Sequence, residues 1–308
     1  MNDLLILAGC TGTGKTKLAE LIFDKLNCVL ISADSMQIYK SCNIATAKLS
    51  INELEKYPHE CINLIEPTSN FSVAEFVQLA KNKIEKCYKE KKLPILVGGT
   101  GLYIESLLFS YDFNNVKQDV ELREKINNYY KRYGKERLYN FLKKINPKKA
   151  EEIHFNNIIR VKRALEVSLI SKDTVLKEKN LEKQSPYNYK LIFLNRDREE
   201  IYKIIDNRVD DMIKAGLIDE AKNIYKLTKG NLDAQVNKII GYKELYPYFE
   251  GKNDLKTSID LIKQHSKNYA KRQITWFKRY NNIEIVDIGK GFDSILIQII
   301  NQYSVYKK

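Results

Sequence analysis

Gly9-Cys10-Thr11-Gly12-Thr13-Gly14-Lys15-Thr16 has the spacing G-x-x-x-x-G-K-[ST]. An apolar run, Leu4 to Ala8, precedes it, and a helical pattern from Lys15 to Leu26 follows. Strand, glycine loop and helix in that order make a cradle for a diphosphate. Glycines let successive backbone N–H groups turn inward toward an anion, and the helix N-terminus adds partial positive charge. All eight residues, Gly9 through Thr16, are therefore candidate diphosphate or nucleotide contacts. Lys15 would reach the terminal phosphates, and Thr16 would offer its hydroxyl to a magnesium ion. Cys10 reads as a small loop filler. By itself the loop suggests a small-molecule or nucleotide kinase, because most such loops serve phosphoryl transfer or hydrolysis.

Asp34 is the second residue suited to chemistry. It follows the strand pattern Cys28–Ser32, at the start of Asp34-Ser35-Met36-Gln37-Ile38-Tyr39. A carboxylate at a strand's C-terminal end beside a phosphate loop can hold magnesium or take a proton from a nucleophile. A turn-capping role is the plain alternative.

The elements that must position these residues alternate. Strand patterns occur at 4–8, 28–32, 61–65 and 94–98, with helical stretches between them. Ser72 with Glu75 makes a capping box for a helix running to Lys92. Such alternation implies a parallel sheet whose ligands gather at the strands' carboxyl ends. Gly9–Thr16, Ala33-Asp34-Ser35 and Gly98-Gly99-Thr100-Gly101 should then share one edge. Residues 112–187 show no strand pattern; helical stretches lie at 120–133, 135–145 and 156–170, and a polar connector at 172–185. A strand pattern returns at 190–195, followed by helices at 198–215, 217–227, 239–248 and 254–280 and a last strand at 283–288. The expected fold class is α/β: a P-loop NTPase-like parallel-sheet core with a helical insertion domain. The core comprises 1–111 and 188–308, and the insertion 112–187.

The 308 residues carry a net charge of +13, unevenly placed. Residues 1–111 and 188–250 are neutral, whereas 112–187 carry +7 and 251–308 carry +6. Two basic blocks beside neutral ones suit a polyanion larger than one diphosphate. Solvated helix faces are the bland reading. Lys263, Lys267 and Lys271 recur every four residues and share a helix face, with Arg272, Lys278 and Arg279 beyond them. That row is expected to meet phosphates, while Trp276 and Phe277 among them read as core. Five widely spaced cysteines without C-x-x-C indicate free thiols in a reducing compartment. The three histidines form no zinc pattern. No apolar run approaches the ~20 residues that span a membrane, and Leu4–Ala8 is too short for a signal-peptide core. A cytoplasmic location with no membrane partner is expected. Nothing demands a dimer, so a monomer is expected.

With its neighbours, the chain closely resembles the tRNA dimethylallyltransferase (tRNA isopentenyltransferase) family over almost all its length. The resemblance is carried by the loop, by Asp34 to Tyr39, by Ile44-Ala45-Thr46-Ala47-Lys48, by Pro58-His59, and by Phe71 to Phe76. It continues through Pro94 to Tyr103, Arg160 to Val167, Asn207-Arg208-Val209-Asp210, Gly216 to Glu220, Gly241 to Leu245 and Tyr269 to Gln273. Each is weak alone; their order and spacing together are specific. The chain departs from the family at Cys10 (usually Pro), Thr13 (Ser), Ala45 (Gly), Leu49 (Pro) and Glu60 (His). The loop changes spare every residue with a stated chemical role.

The resemblance implies transfer of a dimethylallyl group from dimethylallyl diphosphate to N6 of an adenosine beside the tRNA anticodon. It implies Asp34 as general base, with Lys15, Thr16 and Arg208 completing the catalytic set and magnesium on Thr16. It places Arg208 near the diphosphate; otherwise Arg208 would read as an exposed helix arginine paired with Asp211. It places Asp34, Ser35, Met36, Gln37, Thr100, Arg123, Ile159, Arg160, Val161, Lys162 and Arg163 against the tRNA anticodon stem-loop. Thr100 would otherwise read as a helix N-cap. The target adenine would flip from its stack to meet Asp34. An adenylate isopentenyltransferase acting on free AMP or ATP would share the loop and Asp34 but would need no large basic surface. A non-enzymatic nucleic-acid-binding module would leave the phosphate site unexplained.

Overall fold

The computed structural model describes residues 2–109, 119–170 and 185–308. In chain order the first elements are β1 (Asp3–Gly9), α1 (Lys15–Phe23), β2 (Cys28–Ser32), α2 (Ile51–Lys56), β3 (His59–Glu60), α3 (Val73–Lys89), β4 (Leu93–Gly98) and α4 (Gly101–Leu108). Then come α5 (Val120–Ile145), α6 (Pro147–Glu152), α7 (Ile158–Ile170), β5 (Asn188–Asn195), α8 (Arg198–Lys214) and α9 (Leu217–Thr228). The last are α10 (Tyr246–Phe249), α11 (Leu255–Phe277), β6 (Glu284–Asp287) and α12 (Asp293–Gln302). Two compact units result: Met1–Ser110 with Gln184–Lys308, and Tyr111–Lys183. The junction expected at 111/112, and nearly all of the connector expected at 172–185, lie outside the described residues.

In the first unit six strands form one parallel sheet in the order β3-β2-β4-β1-β5-β6. The α/β class and the parallel sheet are therefore as the alternation predicts. Leu4, Leu5, Ile6, Leu7 and Ala8 are wholly buried, as a central parallel strand covered on both faces requires. One face packs on α1 and α12 through Leu18, Ile22, Ile295 and Ile299. A second core joins Ile38 and Tyr39 to α8, α9, Tyr242 and α11. All the strands point the same way, so Gly9, Ser32, Gly98 and Asn195 end on one edge, where the site lies. Ser72 caps α3 in the expected box: its hydroxyl accepts from Glu75 N–H at 3.2 Å, and Glu75 accepts from Ser72 N–H at 2.7 Å.

Several expected elements differ. The stretch 61–65 is a turn, because Cys61 (φ 68°) and Asn63 (φ 54°) are left-handed; the edge strand is His59–Glu60 just before it. The helix expected at 239–248 survives only as α10. Gly241 (φ 110°) breaks it, and Glu244 accepts the freed Gly241 N–H at 2.8 Å. The helix after the loop ends at Phe23, three residues early. The short α2 and the C-terminal α12 were not expected. In the second unit α5 bends at Gly134 (φ 77°, ψ −179°), which divides it where the 120–133 and 135–145 patterns meet. Ile126, Leu138, Leu142, Ala150, Val161 and Leu165 form that unit's own core.

Candidate active site

The glycine loop has the geometry of an anion cradle. Gly12 (φ 86°) and Gly14 (φ 73°) adopt backbone angles that side chains resist. Gly14 serves as N-cap of α1, so the helix begins at Lys15 with its N–H groups facing the loop. Thr13 is buried and its hydroxyl donates to Cys10 O at 2.8 Å. Thr13 and the buried Cys10 thus shape the loop, and what they can offer a ligand is backbone. Lys15 folds back across it, donating to Gly9 O at 2.9 Å and Cys10 O at 2.8 Å. Burial pushes the Lys15 ammonium down to about 8; Cys10 and Asp34 pull it back up, and Arg208 adds to the fall. Thr11 and Thr16 also line the space above the loop, and the Thr16 side chain is open to solvent.

Asp34 sits two residues beyond β2, and the last sheet-like hydrogen bond there is Ala33 N–H to Val97 O at 2.8 Å. Asp34 Oδ1 accepts from Met36 N–H at 2.9 Å. One oxygen closes the turn, and Oδ2 has no hydrogen-bond partner among the described residues, so the turn-capping and chemical readings of Asp34 are compatible. Thr100 stands at the N-cap of α4 but does not cap it. Its hydroxyl instead accepts from Ser35 N–H at 3.1 Å and ties the Asp34 turn to the end of β4. Gln37 is held in turn: Ser32 O–H donates to its Oε1 at 3.1 Å, and its Nε2 donates to Thr46 O at 3.3 Å. At the neighbouring turn Gln273 donates to Gly99 O at 2.9 Å, so close that a Cβ on Gly99 would lie 2.1 Å from its nitrogen.

Arg208 enters from α8. The pairing with Asp211 expected for a surface arginine does not form; Asp211 faces Lys214 at 3.7 Å, and Arg208 makes no ion pair among the described residues. Burial disfavours its charge and nearby Asp34 favours it. A partly desolvated, unpaired guanidinium beside a phosphate loop is a fork waiting for an anion.

Of three cavities that Arg208 borders, two also border Asp34. One, of about 210 Å³, is lined by the loop, Ser32, Gln37 and His59, whose imidazole is turned toward the neutral form by burial. The other, of about 390 Å³, has a largely apolar wall from Met36, Val209, Met212, Ile239 and Ile262, with Thr100, Tyr269 and Arg272 at its polar side. Thr11, Asp34, Thr46 and Arg208 line both. Thr46, Tyr269 and Lys243 belong to this site but carry no chemical signature in sequence; only their membership in the quoted motifs hinted at a role. A charge-stabilising chamber thus opens onto a roomier apolar one, with a carboxylate at the boundary. Among the described residues no three His, Cys, Asp or Glu side chains cluster to hold a metal.

The remaining candidates lie in the second unit. Ile159 (76 % exposed) and Arg160 are on its surface. Val161 is a correction: its side chain is fully buried in that unit's core and offers no surface to a nucleic acid. Arg123 and Arg163 both bind the buried Glu166, each at 2.9 Å, which fixes the two guanidinium groups while partly neutralising them. Lys162 lies 4.3 Å from the Tyr130 ring centre.

Two lysines of the α11 row are engaged within the fold. Lys263 pairs with Asp210 at 2.6 Å and Lys267 with Asp206 at 2.7 Å, so two of the three fasten α11 to α8. Replacing both by alanine should lower the melting temperature by a few degrees, for ion pairs worth about 1 kcal/mol each. The salt dependence of RNA binding should not change; a flattened salt slope in a titration would restore the phosphate reading. Phe277 is buried, as a core residue should be, whereas Trp276 packs on Gly101 but is only partly buried.

A family model described as IPP transferase matches residues 37–280. The chain is 39% identical to the tRNA dimethylallyltransferase of Halalkalibacterium halodurans, over 97% of its own length and 95% of that protein's. It is 42% identical to the tRNA dimethylallyltransferase of Anoxybacillus flavithermus, over 98% and 95% respectively. Its structure is similar to the full-length tRNA isopentenylpyrophosphate transferase of Bacillus halodurans, with a TM-score of 0.73 and 37% identity covering 99% and 97% of the two chains. A eukaryotic dimethylallyltransferase, solved in snapshots of its action on tRNA, superposes with a TM-score of 0.83 at 27% identity, over 100% of this chain and 81% of that one.

Proposed function

The chain belongs to the tRNA dimethylallyltransferase family, and on that premise we propose how its site moves a dimethylallyl group from dimethylallyl diphosphate to an adenine of tRNA. The target is N6 of the adenosine adjacent to the anticodon. The observation that carries this reading is the shared wall: Asp34 and Arg208 border both the loop's chamber and the apolar one. The donor's diphosphate lies on the loop, bound by the N–H groups from Gly12 to Thr16 and by Lys15. Arg208 takes further phosphate oxygens at the boundary. The flipped adenine occupies the apolar chamber, whose volume suits a small planar ligand.

Asp34 accepts the proton from N6 as the amine attacks the allylic C1. The N6–C1 bond forms, the C1–O bond breaks, and diphosphate leaves whole, so no phosphoryl group is transferred. Negative charge grows on the leaving oxygen, which the loop amides, Lys15 and Arg208 would stabilise; one such donor is typically worth ~3–4 kcal/mol. A magnesium ion fits the donor set, since it takes few protein oxygens and completes its shell with water and phosphate. Thr16 is the residue that would hold it, and it would supply further charge neutralisation on the diphosphate. Arg160, Ile159 and the Glu166-bound arginines of the second unit are proposed contacts to the anticodon stem-loop. Among the described residues no helix is long and apolar enough to cross a membrane, and we place the enzyme with its tRNA in the cytoplasm, as a monomer.

Labelled dimethylallyl diphosphate incubated with the enzyme, magnesium and either tRNA or AMP tests the reading. Label should enter tRNA. Label entering AMP alone would replace it with the free-nucleotide activity. The depressed Lys15 adds a pH expectation. Its charge is present below about 8 and lost as pH rises through that value. Donor affinity measured by calorimetry should therefore weaken between pH 7 and 9.5, approaching tenfold per pH unit above 8. Lys15→Met should bind weakly and without that dependence; a flat wild-type profile would remove Lys15 from the diphosphate.

A further inference from the structure

The segment from Asn43 to Ala47 runs between the cavities without regular secondary structure. Ala45 and Thr46 line the apolar chamber, and Thr46 and Ala47 line the diphosphate chamber. Its own bonds are local: Thr46 O–H donates to Cys42 O at 2.6 Å and Lys48 Nζ to Asn43 Oδ1 at 3.2 Å. Ala47 N–H donates to Ile44 O and Lys48 N–H to Asn43 O, each at 2.9 Å, and Ala47 is left-handed at φ 45°. Its three leading amides are held by one side chain from another element. Glu220, in the first turns of α9, accepts from Asn43 N–H at 2.7 Å and Ile44 N–H at 2.8 Å through Oε2. Through Oε1 it accepts from Ala45 N–H at 3.0 Å and from the Tyr242 hydroxyl at 2.8 Å. Three successive amides converging on one point form a concavity of the kind that binds anions. Here the anion is the chain's own carboxylate, held further by its place near a helix N-terminus.

We propose that Glu220 is a positioning residue for prenyl transfer: it clamps the backbone at 43–45 and so holds Thr46 and Ala47 as the partition across which donor and adenine meet. The tie continues inward. Thr46 O accepts from Gln37, and Gln37 accepts from Ser32, at the strand end that carries Asp34. A loosened partition would leave both ligands bound but would let their separation vary, which penalises reaction far more than binding. The proposal rests on reading the two chambers as donor and acceptor sites.

The test compares Glu220→Gln with Tyr242→Phe in the full chain, with tRNA and dimethylallyl diphosphate saturating. Glutamine keeps one acceptor oxygen but turns an N–H₂ group toward amide donors, so the clamp opens. Phenylalanine leaves the three amide bonds in place and removes the Tyr242 hydroxyl's bonds to Glu220 and to the Cys42 thiol. Glu220→Gln should lower kcat at least tenfold while the dissociation constants of tRNA and dimethylallyl diphosphate stay within threefold. Tyr242→Phe should keep kcat within threefold. Equal kcat per folded molecule in Glu220→Gln and wild type would overturn the clamp, as would a loss confined to KM or to melting temperature. Should Glu220→Gln fail to fold, Glu220→Asp takes its place: it retains charge but withdraws it by one methylene, and the same kcat loss is expected. A wild-type enzyme that does not label tRNA at all would overturn the reading of the chambers and the clamp with it, whereas an active wild type beside a fully active variant would remove the clamp alone.

Discussion

Asp34→Ala should abolish transfer to tRNA while dimethylallyl diphosphate still binds. The adenine amine is a poor nucleophile, its lone pair being drawn into the ring, so losing a positioned base should cost about 10²–10⁴ in single-turnover rate. Donor binding should persist because the loop, Lys15 and Arg208 supply the anion contacts. Asp34→Asn sharpens the result. Its side-chain oxygen can still accept the Met36 N–H that Oδ1 holds at 2.9 Å, so the turn should survive without a proton acceptor. Equal losses in the two variants, with unchanged donor affinity by calorimetry, would identify the lost function as proton transfer. Turnover retained in Asp34→Asn would remove Asp34 as the base. Donor affinity falling with activity would move its role to the diphosphate side.

Arg208→Ala should lower kcat by about 10²–10³, the typical loss of one well-placed donor to a developing negative charge. Arg208 lies on α8 between Val209 and the buried Ile205 face, in both chambers, with no ion pair of its own among the described residues. A charge kept partly out of water without a partner is unfavourable. Binding a diphosphate relieves that cost. Arg208→Lys should recover only part of the rate, since an ammonium replaces two directed N–H groups with one point charge. Unlike Asp34, Arg208 should affect donor affinity as well. An Arg208→Ala enzyme with wild-type kcat would mean that the leaving group is stabilised by the loop alone.

The stability of α8 should change little in either Arg208 variant, because its buried face is Ile201, Ile205 and Val209. The neighbouring ion pairs to α11 remain in place. That separation lets rate be read without a folding correction. It also shows two uses of charge on one helix: Asp206 and Asp210 are consumed in packing, while Arg208, between them, is left for a ligand.

Local order was legible from residue types alone. The loop, the capping box at Ser72, the break at Gly134 and the strands at β1, β2, β4 and β5 are short-range consequences of glycine freedom, side-chain capping and apolar runs. The parallel sheet follows from their alternation, and with it the gathering of Gly9–Thr16, Asp34 and Thr100 on one edge. The family, and so the chemistry, was legible because many weak motifs occur in one order. What could not be read was which polar side chains are already satisfied. Lys263, Lys267 and Arg208 look alike in sequence, yet two are paired across a helix interface and one makes no ion pair among the described residues, and the difference depends on which helix packs opposite. The resemblance places Val161 with its basic neighbours, and packing puts its side chain inside. The 61–65 turn and the broken 239–248 helix depend on left-handed residues and on Glu244 reaching back to Gly241, contacts whose sequence patterns still read as strand and helix. The clamp of Glu220 on residues 43–45 spans more than 170 positions. No spacing rule reaches that far; only the folded chain sets a carboxylate against three consecutive amides.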